Sequence, residues 1–346
     1  YNTTVSGLAV GPNIFQWAVG NENCPTVYDQ VTVTVLPFPV AAFSLNDGCD
    51  QHAISFTDNS YALGGVIVSR AWDVDGNGTT DYTAPSFTHT YSVPGVYTCT
   101  LIVTANQGCR DTIIDIVTVF PNPVVDFSYV PDCEESPMAF SDLTTIASGS
   151  LTSWEWHFGD GSAIDTNQNP SHIYPSDAFY TVTLFVTSSL GCITYHSDTV
   201  EVFSIPEMDF TAPNSCRNDT VFFTDMSVST QGVINFWQWD FGDTSPIDNN
   251  QNTIHNYATH DLYEVTLLVA TNKGCTNSIT KPLEVYPVPV PNYTQIGQCE
   301  EQTVRFSDDS EMDYMFGSVM VKWDWEFGDG NKATNRTVGN FYQEPG

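Results

Sequence analysis

The sequence repeats itself with a period of about 83 residues, and this period restricts the chain to folds built from tandem copies of one unit. Four cysteines recur at this interval along the chain, and so do four prolines. These residues are Cys49, Cys133, Cys216, Cys299, Pro39, Pro123, Pro206 and Pro289. Residues at equivalent positions of the copies must therefore be interpreted together.

Proline-marked junctions divide the chain into five units, which we call repeats 1 to 5. Their predicted ranges are 1–37, 38–122, 123–205, 206–287 and 288–346. Repeat 1 is expected to hold the C-terminal part of a sandwich domain, and repeat 5 the N-terminal part of another. This pattern is the one expected for part of a longer protein.

Short segments of period-two alternation, rich in Thr, Val, Tyr and Phe and separated by Gly and Pro, indicate β-strands. In repeat 3, strands are expected at 124–129, 138–142, 153–158, 172–174, 180–187 and 194–203. Six or seven short strands in one repeat fit an antiparallel β-sandwich. The predicted fold class is all-β, with tandem immunoglobulin-like antiparallel β-sandwiches arranged as a linear rod.

Repeats 3, 4 and 5 each contain an aromatic strand followed by a glycine turn, as in Trp154-Glu-Trp156-His-Phe158-Gly159-Asp160-Gly161. Alternation places both Trp and the Phe on one face, and the Gly-Asp-Gly segment suits a tight turn capped by the Asp. His-x-Tyr and Tyr-x-Val-x-Leu-x-Val segments follow. In repeats 2, 3 and 4, one tyrosine stands where an immunoglobulin-like tyrosine corner would be. These residues are Tyr97, Tyr180 and Tyr263.

These motifs, in this order, resemble the PKD (polycystic kidney disease) domain over residues 38–346. The resemblance implies an immunoglobulin-like sandwich that occurs in tandem on cell-surface proteins, so an extracellular or cell-surface location and a non-catalytic role are expected. Repeat 2 departs from the pattern because Arg70 replaces the first aromatic residue. Residues 1–37 resemble a related but different sandwich type. Cysteine-bearing repeats with Pro-x-Pro junctions are similar to those of very large surface or secreted proteins of Bacteroidota.

The charge balance excludes several classes of partner. The chain has 41 Asp and Glu against 9 Lys and Arg, for a net charge of -32. Binding to nucleic acid or to an anionic membrane needs clustered Lys and Arg, so neither partner is expected. Only 14% of residues are charged and 41% are hydrophobic, a composition that supports a core. No run approaches the roughly 20 apolar residues of a membrane helix, so no membrane insertion is expected.

Nine cysteines in an acidic, lysine-poor chain indicate an oxidising, extracellular setting. One pairing joins cysteines within each repeat, namely Cys49 with Cys109, Cys133 with Cys192 and Cys216 with Cys275. A second pairing follows from strand direction. The early cysteine of a repeat is expected at the C-terminal end of its sandwich, and the late cysteine, in the last hairpin turn, at the N-terminal end. A strand of roughly 26 Å then separates them, whereas a disulfide tolerates at most about 7 Å between Cα atoms.

In the second pairing, Cys49 bonds Cys192 and Cys133 bonds Cys275, which joins neighbouring repeats. The cysteines Cys24, Cys109, Cys216 and Cys299 then seek partners outside the sequence. Both pairings stay open at this point. Cys99 takes the place of a strand valine and is expected to be a buried free thiol.

Repeat 2 contains a candidate calcium loop, with oxygen-bearing side chains at nearly every second residue. Its candidate ligands are Asp73, Asp75, Asn77 and Asp81. The alternative is a solvated turn, because the loop lacks the Glu at position twelve and the flanking helices of an EF-hand. Two further recurrent sets are expected to belong to the scaffold, since a group present once per repeat is seldom catalytic. These sets are His89, His172 and His255, and Asp160, Asp243 and Asp329.

Three Asp-Thr-apolar segments resemble the O-glycosylation motif of Bacteroidota, with Thr112, Thr199 and Thr220 as acceptors. The alternative is ordinary strand sequence.

Three functions compete for this chain. The first is a structural or adhesive repeat array that forms a stalk, an adhesin shaft or a filament, with neighbouring domains or copies of the same protein as partners. The second is a module that binds surface glycans or proteins through loop aromatics such as Tyr61, Tyr314 and Phe316. The third is an accessory array of a secreted hydrolase.

Overall fold

The computed structural model describes residues 4–297, 302–313 and 317–342. Over these residues the chain forms 27 β-strands, so the all-β prediction is confirmed. Within the same residues, no helix is long and apolar enough to cross a membrane.

The strands fall into the five predicted repeats. Repeat 1 contains β1 (Gly11–Asn21) and β2 (Cys24–Val35). Repeat 2 contains β3 (Phe43–Ser44), β4 (Gly48–Cys49), β5 (Ala53–Asp58), β6 (Ile67–Asp73), β7 (Ser86–Thr90), β8 (Gly95–Ala105) and β9 (Arg110–Phe120). Repeat 3 contains β10 (Phe127–Tyr129), β11 (Pro137–Asp142), β12 (Leu151–His157), β13 (Ser171–Ile173), β14 (Ala178–Ser188) and β15 (Ile193–Val202).

Repeat 4 contains β16 (Phe210–Thr211), β17 (Ser215–Cys216), β18 (Thr220–Asp225), β19 (Ile234–Asp240), β20 (Thr253–Asn256), β21 (Asp261–Thr271) and β22 (Thr276–Tyr286). Repeat 5 contains β23 (Tyr293–Ile296), β24 (Thr303–Asp308), β25 (Trp325–Glu326), β26 (Lys332–Ala333) and β27 (Thr337–Phe341).

Repeats 2 and 4 have the same sheet topology. Their first sheets have the strand orders β3-β5-β7 and β16-β18-β20, and their second sheets have the orders β4-β9-β8-β6 and β17-β22-β21-β19. Repeat 3 has the sheets β10-β11-β13 and β12-β14-β15. Repeat 5 has the sheets β23-β24-β27 and β25-β26, and in repeat 1 β1 pairs with β2.

The sequence predicted purely antiparallel sheets, but two of the sheets also contain a parallel pair of strands. The short strands β4 and β17 pair in parallel with the ends of β9 and β22, which places Cys49 beside Phe120 and Cys216 beside Tyr286. After the first strand of each of these repeats, the chain crosses to the second sheet. There the short strand with the early cysteine, β4 or β17, runs parallel to the last strand, β9 or β22. The early cysteine therefore lies at the C-terminal end of its repeat, as strand direction predicted.

Inward-facing residues of both sheets form the core of each complete repeat, as the alternation predicts. In repeat 4, Trp239 has no exposed surface and packs at 5.2 Å from Phe210 and 5.5 Å from Phe223, measured between ring centroids. Val265 and Leu267 of β21 belong to the same cluster. In repeat 2, Trp72 is equally buried.

The predicted tyrosine corner is confirmed in three repeats. Each tyrosine hydroxyl donates a hydrogen bond to the backbone carbonyl four residues before it. The pairs are Tyr97 to Val93 at 2.8 Å, Tyr180 to Ser176 at 2.9 Å and Tyr263 to Thr259 at 3.0 Å.

The chain divides into two compact units that do not coincide with the repeats. Unit 1 comprises Tyr1–Tyr129, Phe140–Pro170 and Thr181–Asp198, and unit 2 comprises Val130–Ala139, Ser171–Tyr180 and Thr199–Gly346. Repeat 2 lies in unit 1, repeats 4 and 5 lie in unit 2, and residues of repeat 3 contribute to both. The domain boundaries and the rod arrangement stay predictions.

Candidate functional site

Two disulfides join cysteines of successive repeats. Cys49 bonds Cys192 within unit 1, with 5.7 Å between their Cα atoms, and Cys133 bonds Cys275 within unit 2, with 5.6 Å between their Cα atoms. Both separations lie in the range of unstrained disulfides. The structure thus contains the pairing that strand direction suggested, rather than pairing within each repeat.

A tight turn positions each early cysteine. The residue after the cysteine donates its N–H to the end of the last strand, and the next residue donates to the tyrosine of the His-x-Tyr motif. In repeat 2 these bonds run from Asp50 to the Phe120 carbonyl at 2.9 Å and from Gln51 to the Tyr91 carbonyl at 2.7 Å. Gln51 has a φ of 60°, in the left-handed region that non-glycine residues seldom adopt.

The same turn recurs in repeats 3 and 4. There, Glu135 has a φ of 62° and donates to Tyr174, and Asn218 has a φ of 68° and donates to Tyr257, both at 2.9 Å. Sequence reasoning missed these residues because Gln, Glu and Asn share no side-chain signature, and of the three only Asn favours the left-handed region. The signal available was position: each stands two residues after the early cysteine.

The late cysteines lie in the turn of the last hairpin, after a glycine with positive φ. Gly191 and Gly274, with φ of 82° and 93°, precede Cys192 and Cys275. A hydroxyl accepts the N–H of each bonded cysteine: Ser188 Oγ at 3.1 Å from Cys192 N, and Thr271 Oγ1 at 3.3 Å from Cys275 N. Both cysteines are almost completely buried, so this end of each bond is protected from solvent.

The junction in unit 2 has further contacts around its disulfide. Phe203 is buried in one cluster with Cys133 and Cys275, and the Lys273 ammonium lies 4.4 Å from the Phe203 ring centroid, a cation–π contact. The Glu134 carboxylate accepts the N–H groups of Ile205 and Asp177, each at 3.0 Å.

The loop between β18 and β19 of repeat 4 also contacts repeat 3. Thr230 Oγ1 donates to Ser204 Oγ at 2.8 Å, and Gln231 Nε2 donates to the Asp177 carboxylate at 3.1 Å. The disulfide therefore belongs to a packed, hydrogen-bonded junction.

Cys109 and Cys216, which the within-repeat pairing would bond, are free in the structure, as is the exposed Cys24. The pairing of Cys109 with Cys49 and of Cys216 with Cys275 is therefore wrong, because each intended partner bonds a cysteine of the neighbouring repeat. Cys299 lies outside the described residues.

Cys99 is a buried free thiol, as predicted. Its Sγ lies 3.4 Å from the Val74 carbonyl oxygen and 3.7 Å from the Tyr91 hydroxyl. Burial raises the pKa of the Cys99 thiol, so the protonated form dominates at neutral pH.

The candidate calcium loop brings three carboxylates together. Asp73, Asp75 and Asp81 each offer an oxygen within 4.8 Å of the others. The loop also binds its own amides: Asp73 accepts from Gly76 and Gly78, both at 2.8 Å. Partial burial of Asp73 acts to raise its pKa, but hydrogen bonds from Gly78, Gly76 and Asp75 together outweigh it and hold the pKa below its usual range.

The chemistry of the loop fits calcium, because hard oxygen ligands are the donors that calcium prefers. Asn77 Oδ1 accepts the N–H of Thr79 at 2.7 Å, and Asp81 accepts the N–H of Val74 at 2.9 Å, so every predicted ligand also takes part in the turn. The turn and the ion site are therefore compatible uses of the same residues.

The recurrent histidines and aspartates contact scaffold residues. His255 Nε2 lies 2.7 Å from Asp243 Oδ2, and its ring stacks on Phe241 with 4.1 Å between centroids. His89 Nδ1 lies 3.0 Å from the Tyr82 hydroxyl. His172 packs edge-on against Tyr174 at 4.6 Å between centroids. Asp160, Asp243 and Asp329 each accept an N–H two residues on, from Ser162, Ser245 and Asn331 at 2.9–3.0 Å, as expected for turn residues.

The candidate acceptors Thr112, Thr199 and Thr220 are all exposed, on β9, β15 and β18. Of the loop aromatics, Tyr61 has 53% of its surface exposed. Tyr314 and Phe316 lie outside the described residues.

Three successive sandwiches, each with a tyrosine corner and joined in order by two disulfides, define a tandem array of immunoglobulin-like modules. The family model of the PKD domain matches residues 37–119, 121–203 and 204–287. The chain therefore belongs to the PKD domain family.

The relatives it resembles include bacterial proteases. A microbial collagenase of Vibrio alginolyticus is 34% identical over 96 residues, a match that covers 28% of this chain and 12% of the collagenase. The chain thus matches only a small part of that relative's length.

Among solved structures, the PKD1 domain of the Vibrio cholerae metalloprotease PrtV is 35% identical. The match covers 24% of this chain and 98% of that domain, with a TM-score of 0.22. The PKD1 domain of Vibrio anguillarum Epp is 28% identical over 23% of this chain and 93% of that domain, with a TM-score of 0.22.

Proposed function

We propose that the chain is a non-catalytic, extracellular repeat array that transmits mechanical load, as part of a stalk, adhesin shaft or surface filament. The observation that carries this proposal is the linkage of successive repeats by disulfides between Cys49 and Cys192 and between Cys133 and Cys275. Disulfides persist in oxidising compartments, which supports an extracellular setting.

The two disulfides interlock along the chain, and this gives them a mechanical consequence. They close loops with sequence separations of 143 and 142, and these loops overlap only between Cys133 and Cys192. The shortest covalent route from Cys49 to Cys275 therefore consists of the two disulfides and the backbone between Cys133 and Cys192. Under tension, the rest of the backbone between these cysteines bears no load until a bond is reduced. At about 3.6 Å per extended residue, the roughly 170 residues outside the overlap correspond to roughly 600 Å of withheld chain.

Pulling single molecules by their termini tests this proposal. We expect the oxidised chain to reach its full contour length roughly 600 Å earlier than the same chain in reductant. We also expect the segments 49–133 and 192–275 to stay folded in the oxidised chain at forces that unfold them in reductant, whereas the overlap between Cys133 and Cys192 bears load in both states. A Cys49→Ser/Cys133→Ser variant should behave like the reduced chain, and Cys99→Ser is the matched control. Equal unfolding forces with and without the bonds would contradict a load-bearing role.

High negative charge supports an array of this kind, because it keeps the repeats soluble and discourages association between their surfaces. Two further features accompany the proposal. Calcium would be held in repeat 2 by Asp73, Asp75, Asn77 and Asp81, where it would stiffen the loop after β6. O-linked glycans would be carried on Thr112, Thr199 and Thr220, whose exposure supports access by a transferase.

The match to a microbial collagenase favours a second candidate, an accessory array that holds a secreted hydrolase on its substrate. Co-sedimentation of the 346-residue chain with insoluble collagen fibrils tests it. Saturable pelleting that survives about 0.5 M salt favours this candidate, since salt screens weak charge contacts. The absence of pelleting removes it and leaves the mechanical proposal unaffected.

A further inference from the structure

The two disulfides between repeats differ in their exposure to solvent. We call the bond between Cys49 and Cys192 the unit 1 disulfide and the bond between Cys133 and Cys275 the unit 2 disulfide. In the unit 2 disulfide, Cys133 is 7% exposed and Cys275 is 1% exposed. In the unit 1 disulfide, Cys192 has no exposed surface, but Cys49 is only partly buried. Cys49 is therefore the most exposed of the four bonded residues.

The packing beside Cys49 is also open. Phe120 lies opposite Cys49 in the parallel pairing of β4 with β9, and it is only partly buried. Phe120 and Leu190, which precedes Cys192 by two residues, line an open pocket of about 430 Å³ between repeats 2 and 3. The side chains of this junction therefore leave solvent space close to the unit 1 disulfide.

The equivalent space in unit 2 is filled. Phe203 and Lys273 stand 83 residues after Phe120 and Leu190. Phe203 is buried together with both cysteines of the unit 2 disulfide, and the Lys273 ammonium lies 4.4 Å from the centroid of its ring. A lysine in this position also covers apolar surface with its aliphatic stem. The unit 2 disulfide is therefore shielded by a side chain that unit 1 lacks.

Hydrogen bonds close the junction of unit 2 as well. Thr230 donates to Ser204, and Gln231 donates to Asp177. At three of these four positions, unit 1 has the residues Ala147, Pro121 and Pro94. None of the three has a side-chain hydrogen-bonding group, so unit 1 cannot form either bond. Opening of the unit 2 junction therefore breaks contacts that have no counterpart in unit 1.

Charge around the cysteines does not reverse this difference. Within two residues on either side, Cys49 has two acidic neighbours and Cys133 has three. Repulsion of an approaching thiolate is therefore slightly stronger at Cys133, and physiological salt screens it at both sites. Solvent access is thus the property that distinguishes the two disulfides.

We propose that the two disulfides form a graded redox switch, in which a small dithiol reduces the unit 1 disulfide at least tenfold faster than the unit 2 disulfide. The mildly reduced chain then retains the unit 2 disulfide alone. The rate of thiol–disulfide exchange depends on access of the attacking thiolate to a sulfur, and Cys49 offers this access in the folded chain. Attack on the unit 2 disulfide first requires its junction to open.

The reduction consists of two exchange steps with a dithiol such as dithiothreitol. One thiolate of the dithiol attacks Cys49 Sγ, the bond to Cys192 Sγ breaks, and Cys192 leaves as a thiolate that takes up a proton. The second thiolate of the dithiol then attacks its own sulfur partner in the mixed disulfide, which releases Cys49 as a thiolate and closes the cyclic disulfide of the reductant. The dithiol loses two electrons, and one protein disulfide becomes two thiols.

The switch has a mechanical consequence that rests on the load-bearing function, whereas the order of reduction does not. When only the unit 2 disulfide remains, tension passes along the backbone from Cys49 to Cys133 and then through the bond to Cys275. Segment 133–192 is relieved of load, and segment 49–133 bears it instead. This route is only about 25 residues longer, or roughly 90 Å. Reduction of the unit 2 disulfide then releases the sequence separation of 142 between its cysteines, or roughly 510 Å.

Alkylation during reduction tests the order without applied force. The folded chain is mixed with dithiothreitol, samples are quenched over time with excess N-ethylmaleimide, and mass spectrometry measures the free thiol at each bonded cysteine. We expect Cys49 and Cys192 to become free at least tenfold faster than Cys133 and Cys275. Other thiols that could exchange with these bonds are removed by the changes Cys24→Ser, Cys109→Ser, Cys216→Ser and Cys299→Ser.

Low concentrations of urea separate direct attack from attack after opening, because urea favours states that expose more surface. Below the unfolding transition, we expect the reduction rate of the unit 1 disulfide to stay constant and that of the unit 2 disulfide to rise with urea. Equal urea dependence of the two rates would contradict direct attack on Cys49.

Substitutions that exchange residues between the junctions test the cause of the difference. Lys273→Leu with Gln231→Ser gives unit 2 the residues Leu190 and Ser148 of unit 1. This double change should accelerate reduction of the unit 2 disulfide several-fold and leave the unit 1 rate unchanged. Lys281→Leu is the matched control, because it removes the same charge and a second cation–π contact six residues after Cys275, and it should change neither rate. Hydrogen exchange of β21 verifies that the variants fold.

Equal rates for the two disulfides, or earlier reduction of the unit 2 disulfide, would overturn the proposal. An unchanged unit 2 rate in the Lys273→Leu/Gln231→Ser chain would also overturn it, since packing would then not protect the bond. Pulling single molecules in dithiothreitol examines the mechanical consequence separately, with expected steps of roughly 90 Å and then 510 Å. If the order of reduction holds but these steps do not occur, the redox switch is supported and the load-bearing function is contradicted.

Discussion

Repeats 2 and 4 have the same strand order, yet they satisfy the same buried aspartate in different ways. In repeat 4, Trp237 Nε1 donates to Asp225 Oδ2 at 2.8 Å. In repeat 2, Arg70 Nε donates to Asp58 Oδ2 at 2.5 Å. The fold therefore requires a donor at this point of β6 and β19, rather than an aromatic ring.

The turn after this strand shows a second difference. Gly242 of repeat 4 has a φ of 76°, and a Cβ built on it would lie 2.6 Å from the Glu264 carbonyl oxygen. In repeat 2 the chain makes a longer loop here, and a Cβ on Gly76 would lie 3.4 Å from Thr98. The scaffold thus tolerates insertion at this turn, which is where repeat 2 gains its acidic residues.

The largest expected effect separates these two turns. Gly242→Ala should destabilise repeat 4 by about 3 kcal/mol, because it adds a clash with backbone to the strain of a positive φ. Gly76→Ala should cost only about 1 kcal/mol, since the φ strain acts alone. Hydrogen exchange followed by mass spectrometry resolves the two repeats within one chain. Gly78→Ala, with a φ of 82° and open space around it, is the control for strain alone. If both substitutions lower the free energy of unfolding equally, the contact between the new Cβ at position 242 and the Glu264 carbonyl is relieved without cost.

The donor exchange predicts the next largest effect. Asp58→Ala should cost about 2 kcal/mol, because it leaves the half-buried Arg70 guanidinium without its counter-charge. Asp225→Ala should cost about 1 kcal/mol, because it leaves only neutral donors without their acceptor, the Trp237 indole N–H and the exposed Gln251 amide. Both variants lose the same turn bond, from Ser60 or Ser227 at 2.8 Å, so the comparison isolates the charge.

The exchange can also be reversed. Arg70→Trp should keep repeat 2 within about 1 kcal/mol of the natural chain, since the indole N–H can donate as it does in repeat 4. Arg70→Ala removes the donor and serves as the control. If Arg70→Trp is as damaging as Arg70→Ala, a donor at this position is not sufficient.

Acid should weaken repeat 4 through Asp243. Burial acts to raise the pKa of Asp243, but hydrogen bonds from Ser245 and His255 outweigh it and lower the pKa below its ordinary value. A carboxyl with a lowered folded pKa contributes stability above pH of about 4 and loses it as the pH falls through the folded value. Asp243→Asn should flatten this loss below pH of about 4 and leave repeat 2 unchanged, as measured by hydrogen exchange across a pH series. An unchanged acid slope would show that Asp243 does not contribute.

The period and the alternation were enough to predict the sandwiches, their tyrosine corners and the buried thiol of Cys99. Strand direction also indicated the disulfides between Cys49 and Cys192 and between Cys133 and Cys275 as one of two alternatives. These features follow from rules that act along a strand or within a turn.

Other features depend on partners far away in sequence. The sequence shows that repeat 2 has Arg70 where the other repeats have tryptophan. It does not show why arginine fits there, because its partner is the carboxylate of Asp58 on another strand. The parallel pairing of β4 with β9 joins segments from opposite ends of the repeat, and no local pattern marks a strand of two residues. The left-handed turn at Gln51 depends on the Tyr91 carbonyl, which alternation alone does not place.

The smallest expected effect concerns the acidic loop that distinguishes repeat 2. If calcium binds there as weakly as in other extracellular modules, an ion concentration equal to the dissociation constant stabilises repeat 2 by about 0.4 kcal/mol. Calcium should therefore slow hydrogen exchange in β6 and β8 slightly and leave β19 and β21 unchanged. Asp75→Ala should abolish the response. It also removes the acceptor of the Asn77 N–H, but Asp73 still accepts the amides of Gly76 and Gly78 and so retains the rest of the turn. Asp243→Ala in repeat 4 is the matched control, and magnesium controls for screening of the charge. If the response persists in Asp75→Ala, or appears equally in repeat 4, calcium acts through the general negative charge of the chain. The loop is then a turn and not a calcium site.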